Sequence, residues 1–455
     1  MNPSSQPSSN RQGTRNMTTG NPKLQIIQFA IPICLSQIFQ QLYNTADSVI
    51  VGNFLGKSAL AAVSSSGTLI FLLISFFTGT AMGAGVAISR YFGAEDYEKL
   101  SEAIHTNVAF GLVAGIVVTI FGVGATPQIL QWMGTDPAVL PQSIIYFRYY
   151  FLGALAIVMY NIFTSIMNAV GDSKRPLYYL ILSSVLNIVL DLVFIAGFHL
   201  GVGSAAVATT ISQAASVVLC LIHLTRPGTI YQIVPRKVRF HKDMMLEIIR
   251  YGLPTGVQNS VIGFANVIVQ TNINSFGENA MAGYGSYAKI EGFAFLPITC
   301  FAMALSTFVS QNLGAGKHDR AKAGAKFGIL TSILLAEAIG VLIFLSAPAL
   351  VGMFNRDKQV VFFGTMQART EALFFFLLAF SHCIAGICRG AGKAVVPMVI
   401  MLSVWCVFRI LYISVALHIS HEISLIFWAY PITWSISSVI YFIYYKKSDW
   451  VHGFD

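Results

Sequence analysis

Charge is the first thing this chain lacks. Only 10% of its 455 residues are Asp, Glu, Lys or Arg, while 55% are hydrophobic, and a soluble protein of that length needs far more polarity to cover its surface. A secretory signal is missing too. The first 22 residues, MNPSSQPSSNRQGTRNMTTGNP, hold no apolar core, and their Ser, Asn, Gly and Pro content predicts a disordered tail. Six cysteines (Cys34, Cys220, Cys300, Cys383, Cys388, Cys406) show no CxxC spacing and no companion histidine cluster, so they read as small packing residues. Neither HExxH nor DDxxD occurs, which excludes an intramembrane metalloprotease or a prenyl transferase, and the chain does not read as an enzyme. One segment, Gly52-Asn-Phe-Leu-Gly56-Lys57-Ser58, resembles a phosphate-binding loop but is one residue short between its glycines and falls in an external loop. No segment reads as a soluble nucleotide-binding domain, so the energy for any work is expected to come from an ion gradient.

What is present is a succession of apolar runs. A bilayer core takes about 20 helical residues to cross, and twelve candidates fit: 25–50, 60–88, 102–125, 142–169, 176–198, 203–225, 246–273, 281–310, 323–349, 367–388, 394–418 and 423–445. They predict an all-α polytopic membrane protein. The formal net charge of +9 is distributed by topology. Basic residues crowd the loops after even-numbered helices (Arg90, Lys99, Lys174, Arg175, and the run from Arg226 to Arg250), while loops after odd-numbered helices hold few, such as Lys57 and Arg356. The positive-inside rule then puts both termini in the cytoplasm of a plasma (inner) membrane protein. The basic excess is therefore no sign of nucleic-acid binding.

Landmarks recur about 221 residues apart. Ile31-Pro32 matches Leu253-Pro254, Arg90-Tyr-Phe-Gly-Ala-Glu matches Gln311-Asn-Leu-Gly-Ala-Gly, and Asn168-Ala-Val-Gly-Asp matches Arg389-Gly-Ala-Gly-Lys, with Pro176 and Pro397 following. Six helices per repeat is an even number, so the halves are parallel repeats. The expected organisation is a tail at 1–23, a six-helix bundle at 24–225, a cytoplasmic linker at 226–245, a second bundle at 246–445 and a cytoplasmic tail at 446–455. Two such bundles around a central cavity suit alternating access better than a static pore.

Two acids sit inside predicted spans, Asp47 in the first and Asp191 in the fifth. A charge at the bilayer centre costs about 2.5–3.5 kcal/mol or more unless it lines a protected path, so it marks function by default. Asn187 and Asp191 are four residues apart and share a helix face. Asp191 lies roughly 22 Å along its helix from Pro176 at 1.5 Å per residue, and Thr209 and Thr210 on the returning sixth helix reach a similar depth. These oxygens could ligate Na⁺, or the acids could hold a proton. Alternatively the acids could simply bond neighbouring helices or face the headgroups. The repeat sets Val269, Phe408 and Tyr412 opposite Asp47, Asn187 and Asp191, so the expected coupling site is single and confined to the first bundle.

Other polar positions carry weaker signals. Lys289 and Glu291, two apart on the eighth helix, do not face one another and read as interhelix contacts. Glu337, Glu371 and Arg409 fit snorkelling or pairing as well as function. His382 is a candidate proton relay. Pro32, Pro254, Pro297 and Pro431 mark kinks.

Several of these segments, in this order over roughly residues 24–445, resemble the multidrug and toxic compound extrusion (MATE) family. They are Asn44-Thr-Ala-Asp-Ser-Val-Ile-Val-Gly52, Gly93-Ala-Glu, Asn168-Ala-Val-Gly-Asp-Ser-Lys-Arg-Pro176, Asn187-Ile-Val-Leu-Asp191, Tyr287-Ala-Lys-Ile-Glu-Gly292 and Gln311-Asn-Leu-Gly-Ala-Gly316. The resemblance implies export of amphipathic, often cationic and aromatic small molecules in exchange for H⁺ or Na⁺, without a cofactor. It also implies an amino-lobe ion site at Asp47, Asn187, Asp191 and Thr209, with Tyr146 as a neighbour. One branch of the family uses acids in the seventh and tenth helices. Here the seventh offers Gln258, Asn259 and Asn266, and Glu371 falls at the edge of the tenth span. The chain therefore looks more like the DinF-type branch. A flippase for lipid-linked saccharides, of the same superfamily, is the alternative. It would need several basic residues to hold pyrophosphate, and this chain offers chiefly Lys289 and Arg409.

Overall fold

The computed structural model describes residues 16–132 and 135–454. Among them the chain forms twelve long helical segments: α1 Pro22–Leu55, α2 Lys57–Gly93, α3 Tyr97–Trp132, α4 Leu140–Leu152 plus Ala154–Ala169, α5 Lys174–Gly197, α6 Gly203–Leu224, α7 Lys242–Asn274, α8 Glu278–Gly314, α9 His318–Phe354, α10 Lys358–Gly390, α11 Val395–Ile419 and α12 Ile423–Lys447. No strand occurs among the described residues. Nine of the helices are long and apolar enough to cross a membrane, and the two halves of α4, bent by 45° at Gly153, make a tenth. The apolar stretch of α7 is diluted by Thr255, Gln258, Asn259 and Asn266. Pro32, Pro254 and Pro297 lie within continuous helices.

The repeat is visible in the backbone. Gly56 and Gly277 open α2 and α8 with φ of +84° and +93°. The turns after α2 and α8 close in the same way: Asp96 N–H donates to Tyr91 O at 3.1 Å, and Lys317 N–H to Asn312 O at 2.8 Å, around left-handed Glu95 and Gly316. The turns after α4 and α10 match as well, with Asp172 N–H on Met167 O and Lys393 N–H on Cys388 O around Gly171 and Gly392. These six-to-one bonds satisfy carbonyls that the helix end would leave orphaned.

The chain divides into two compact units, one of residues 35–249 with the segment up to Thr19, the other of 20–34 with 250–455. Within the first, small residues let helices approach closely, as lipid-embedded bundles require. A Cβ on Gly111, Gly115 or Gly122 of α3 would collide with Ile162, Leu155 or Phe151 of α4. In the second unit, Gly324 and Gly328 of α9 meet Phe308 and Leu305 of α8 in the same manner.

The segment read as an N-terminal tail lies outside the described residues up to 15, and from Asn16 it forms a turn in which Met17 and Thr18 are buried before α1 starts at Pro22. The linker, 225–241 between helices, is docked against the first unit. Val234 N–H donates to His105 Nε2 at 2.9 Å, His241 N–H to Thr106 Oγ1 at 3.2 Å, and buried Tyr231 meets His223 at 3.1 Å. At the C-terminus Trp450 and Val451 are buried, and Lys393 Nζ donates to Asp449 O.

Candidate functional site

In the first unit α5 carries Asn187 and Asp191 on one face, and both are buried, 1% and 0% exposed. The α-helical path ends at Asp191, and the next turn, Leu192–Gly197, is a π-helix. Such wide turns recur at functional sites because they re-aim side chains within a continuous helix. α1 brings half-buried Asp47 beside Asp191, close enough for the two carboxyl groups to interact directly. Two ionised carboxylates cannot donate to each other, so that contact calls for a shared proton or a bridging cation. The shortage of donors goes further. Asp47 Oδ1, Asn187 Oδ1 and both Asp191 oxygens are buried with no protein donor. Four orphaned acceptors in one place are costly unless an ion or proton satisfies them.

Asn187 Nδ2 donates to Thr209 Oγ1 at 3.4 Å, and the Thr209 hydroxyl donates to Ala205 O at 3.1 Å. Buried Tyr146 of α4 stands within electrostatic range of both acids, tilted against Tyr150 at 6.2 Å. Its ring belongs to an apolar cluster with Ile50, Val51, Ile195 and Val202 that walls the polar group. Sequence reasoning missed two members. Tyr43 lies one turn before Asp47, and its hydroxyl accepts from Gln213 Nε2 at 3.5 Å. Gln213 follows Thr209 by one turn, so the four-residue spacing was there to be read. Thr210 is not brought to this group. Its side chain packs against Gly153 at the α4 bend, and its hydroxyl donates to Ala206 O.

The second unit holds a charged cluster of its own, built from three of the weaker candidates, Glu291, Glu371 and Arg409. α10 begins at Lys358, well before the span expected from hydropathy, so Glu371 lies inside the helix and is fully buried. It accepts from Gln367 Nε2 at 2.9 Å, while its Oε2 finds no donor. Arg409 of α11 interacts electrostatically with Glu371 and with Glu291. Its guanidinium donates to Thr433 Oγ1 at 2.9 Å and lies 4.4 Å from the Tyr430 ring centre. Lys289 points elsewhere, exposed over the Phe354 ring at 5.5 Å, as the two-residue spacing from Glu291 requires. Gln258 Nε2 contacts Met401 Sδ at 2.8 Å. His382 sits between Phe295 and Trp405, ring centres 4.9 and 5.4 Å away, with Nε2 unpartnered. Where the first unit carries Asn187 and Asp191, the second stacks Phe408 on Tyr412. No cluster of three or more His, Cys, Asp or Glu suited to a metal occurs among the described residues.

Known proteins fit this arrangement. The chain is 28% identical over 430 residues to the probable multidrug resistance protein YoeA of Bacillus subtilis, covering 92% of each. It is 25% identical over 369 residues to the multidrug export protein MepA of Staphylococcus saprophyticus, 81% of each. Among solved structures, an outward-facing multidrug resistance MATE transporter of the MOP superfamily shares the fold with a TM-score of 0.90 at 24% identity, over 96% of this chain and 98% of that one. An MOP superfamily transporter from Pyrococcus furiosus, whose reversed binding-pocket polarity is described as suggesting a different function, gives 0.89 at 24% over the same shares. The MatE family model matches twice, at 32–193 and at 254–415, starting on Pro32 and Pro254 and so following the internal repeat. The chain belongs to the MatE family and is a multi-pass membrane transporter, not an enzyme.

Proposed function

We propose that the protein is a secondary antiporter that exports amphipathic, cationic organic compounds in exchange for H⁺ or Na⁺ by alternating access, in the manner of the DinF-type branch. Asp47 and Asp191 hold the coupling ion, and Asn187 and Thr209 complete its oxygen shell if that ion is Na⁺. The observation that carries this reading is the set of four buried, donor-less oxygens on Asp47, Asn187 and Asp191. Such a set is stable only when something positive is present, so ion release can drive a change of state. Both termini face the cytoplasm, in line with the distribution of basic loops. The substrate class follows the names of the multidrug relatives. The reversed pocket polarity described for the Pyrococcus furiosus transporter means that fold alone does not carry it.

The experiment is ethidium efflux from proteoliposomes, with a pH gradient and a Na⁺ gradient imposed separately on wild type and Asp191→Asn. Efflux driven by one gradient and lost in the variant supports the reading and names the ion. Full gradient-driven efflux in Asp191→Asn overturns it.

A further inference from the structure

Of the two acids of the first unit, Asp47 is half-buried and Asp191 is sealed. Asp191 has no exposed surface, so an ion exchanging with it needs a path, and one end of this unit holds a cavity that meets the requirement. The cavity measures about 590 Å³ and is lined by residues from five helices and the 198–202 loop, among them Gln142, Tyr149, Phe194, Leu200, Val202 and Ser204. By the charge bias of the loops this is the outer end of the unit. On three helices its lining lies within about two turns of the polar group, at 1.5 Å per residue. Gln142 precedes Tyr146 by one turn on α4, Phe194 follows Asp191 by three residues on α5, and Ser204 precedes Thr209 on α6.

Between cavity and acids stands a thin apolar layer. Val202 belongs both to the cavity wall and to the buried cluster containing Tyr146 and Ile195. The π-helical turn Leu192–Gly197 runs alongside this layer, linking Asp191 to Phe194 of the wall. A wall of Tyr149 and Ile145 is held tight against the start of α6, where a Cβ on Gly203 would come within 2.7 Å of the Tyr149 ring and 2.9 Å of Ile145. Gln142 and Ser204 supply polar groups that an apolar groove for lipid chains would not need.

We infer that this cavity is the outer vestibule of the first unit, through which the coupling cation reaches Asp47 and Asp191, and that Tyr146, Ile195 and Val202 form the layer it crosses. The inference rests on the ion-site reading above. It makes ion access a property of one unit by itself, with Tyr146 a positioning residue at the threshold.

The test replaces Leu200, which is 46% exposed on the vestibule rim, by cysteine. Intact cells are treated with a bulky, membrane-impermeant methanethiosulfonate, labelling is verified by mass, and ethidium efflux is followed. Modified Leu200→Cys should export at least fivefold more slowly and recover on reduction. Its equilibrium ethidium binding should not change, and treated wild type should not slow. Ser204→Trp, which fills the cavity without a reagent, should slow ion-driven efflux similarly. An unlabelled Leu200→Cys, or labelled protein exporting at the untreated rate, overturns the vestibule. Asp191→Asn is measured alongside. Loss of coupling there with no effect of vestibule blockage leaves the ion site standing and removes only the path, whereas full efflux in Asp191→Asn removes both.

Discussion

The carboxyl groups of Asp47 and Asp191 lie beside one another and interact directly, one delivered by α1 and the other by the last α-helical residue before a π-helical turn of α5. Neither has a protein donor for its buried oxygens, Asp47 Oδ1 and Asp191 Oδ1 and Oδ2. If they act as one site, their effects must be non-additive. Asp47→Asn and Asp191→Asn should each reduce gradient-driven efflux at least tenfold. The double variant should be no worse than the more damaging single change, which a double-mutant cycle of initial efflux rates measures.

Asn187 separates the two candidate ions. A proton needs only the acids, whereas a bound Na⁺ needs several oxygens at once. Asn187→Leu should raise the half-saturating Na⁺ concentration about tenfold if Na⁺ is the coupling ion, and change a proton-driven rate far less. Titration of efflux against each ion reads the difference.

The α4 bend depends on a close approach. A Cβ on Gly153 would collide with the Thr210 side chain, so Gly153→Val should overpack this contact and destabilise the protein by about 1–3 kcal/mol. Thr210→Ala in the same chain should restore most of the loss. Thermal unfolding in detergent of the single and double variants tests both statements.

Arg409 is the only cation placed among Glu291, Glu371 and the tyrosines of its cluster among the described residues. Arg409→Met removes the donor to Thr433 and leaves both acids without their nearby positive charge, so stability should fall by about 1–3 kcal/mol. Lysine should rescue poorly, because it cannot combine the planar stacking on Tyr430 with the forked hydrogen bonding. The same thermal assay separates the two substitutions.

His105 accepts the Val234 N–H and so pins the linker to α3. His105→Leu should leave that amide without its acceptor, and backbone hydrogen exchange at residues 230–241 should accelerate at least tenfold while the core helices are unchanged.

The fold was legible because a bilayer demands long apolar helices, and all the described helices but α10, which starts nine residues before its span, coincide with an expected span to within several residues. Glu371 was placed at the edge of the tenth span because hydropathy starts α10 only where its apolar part begins, while the helix itself starts at Lys358. Thr210 and Thr209 are adjacent in sequence and about 100° apart on a helix, so depth alone could not decide which joins Asn187. Tyr43 and Gln213 were within reach of the same four-residue spacing that paired Asn187 with Asp191. The docked linker was not legible, since its bonds come from His105 and Thr106, more than a hundred residues earlier in the chain.

The central claim is that one ion on the Asp47–Asp191 pair is exchanged against substrate. The direct measurement is ethidium affinity of the purified protein across pH and across Na⁺ concentration, for wild type and Asp191→Asn. The account predicts that one of the two ions weakens wild-type binding at least tenfold over its range, and that the variant's affinity stays flat. The same ion dependence in Asp191→Asn as in wild type would contradict it.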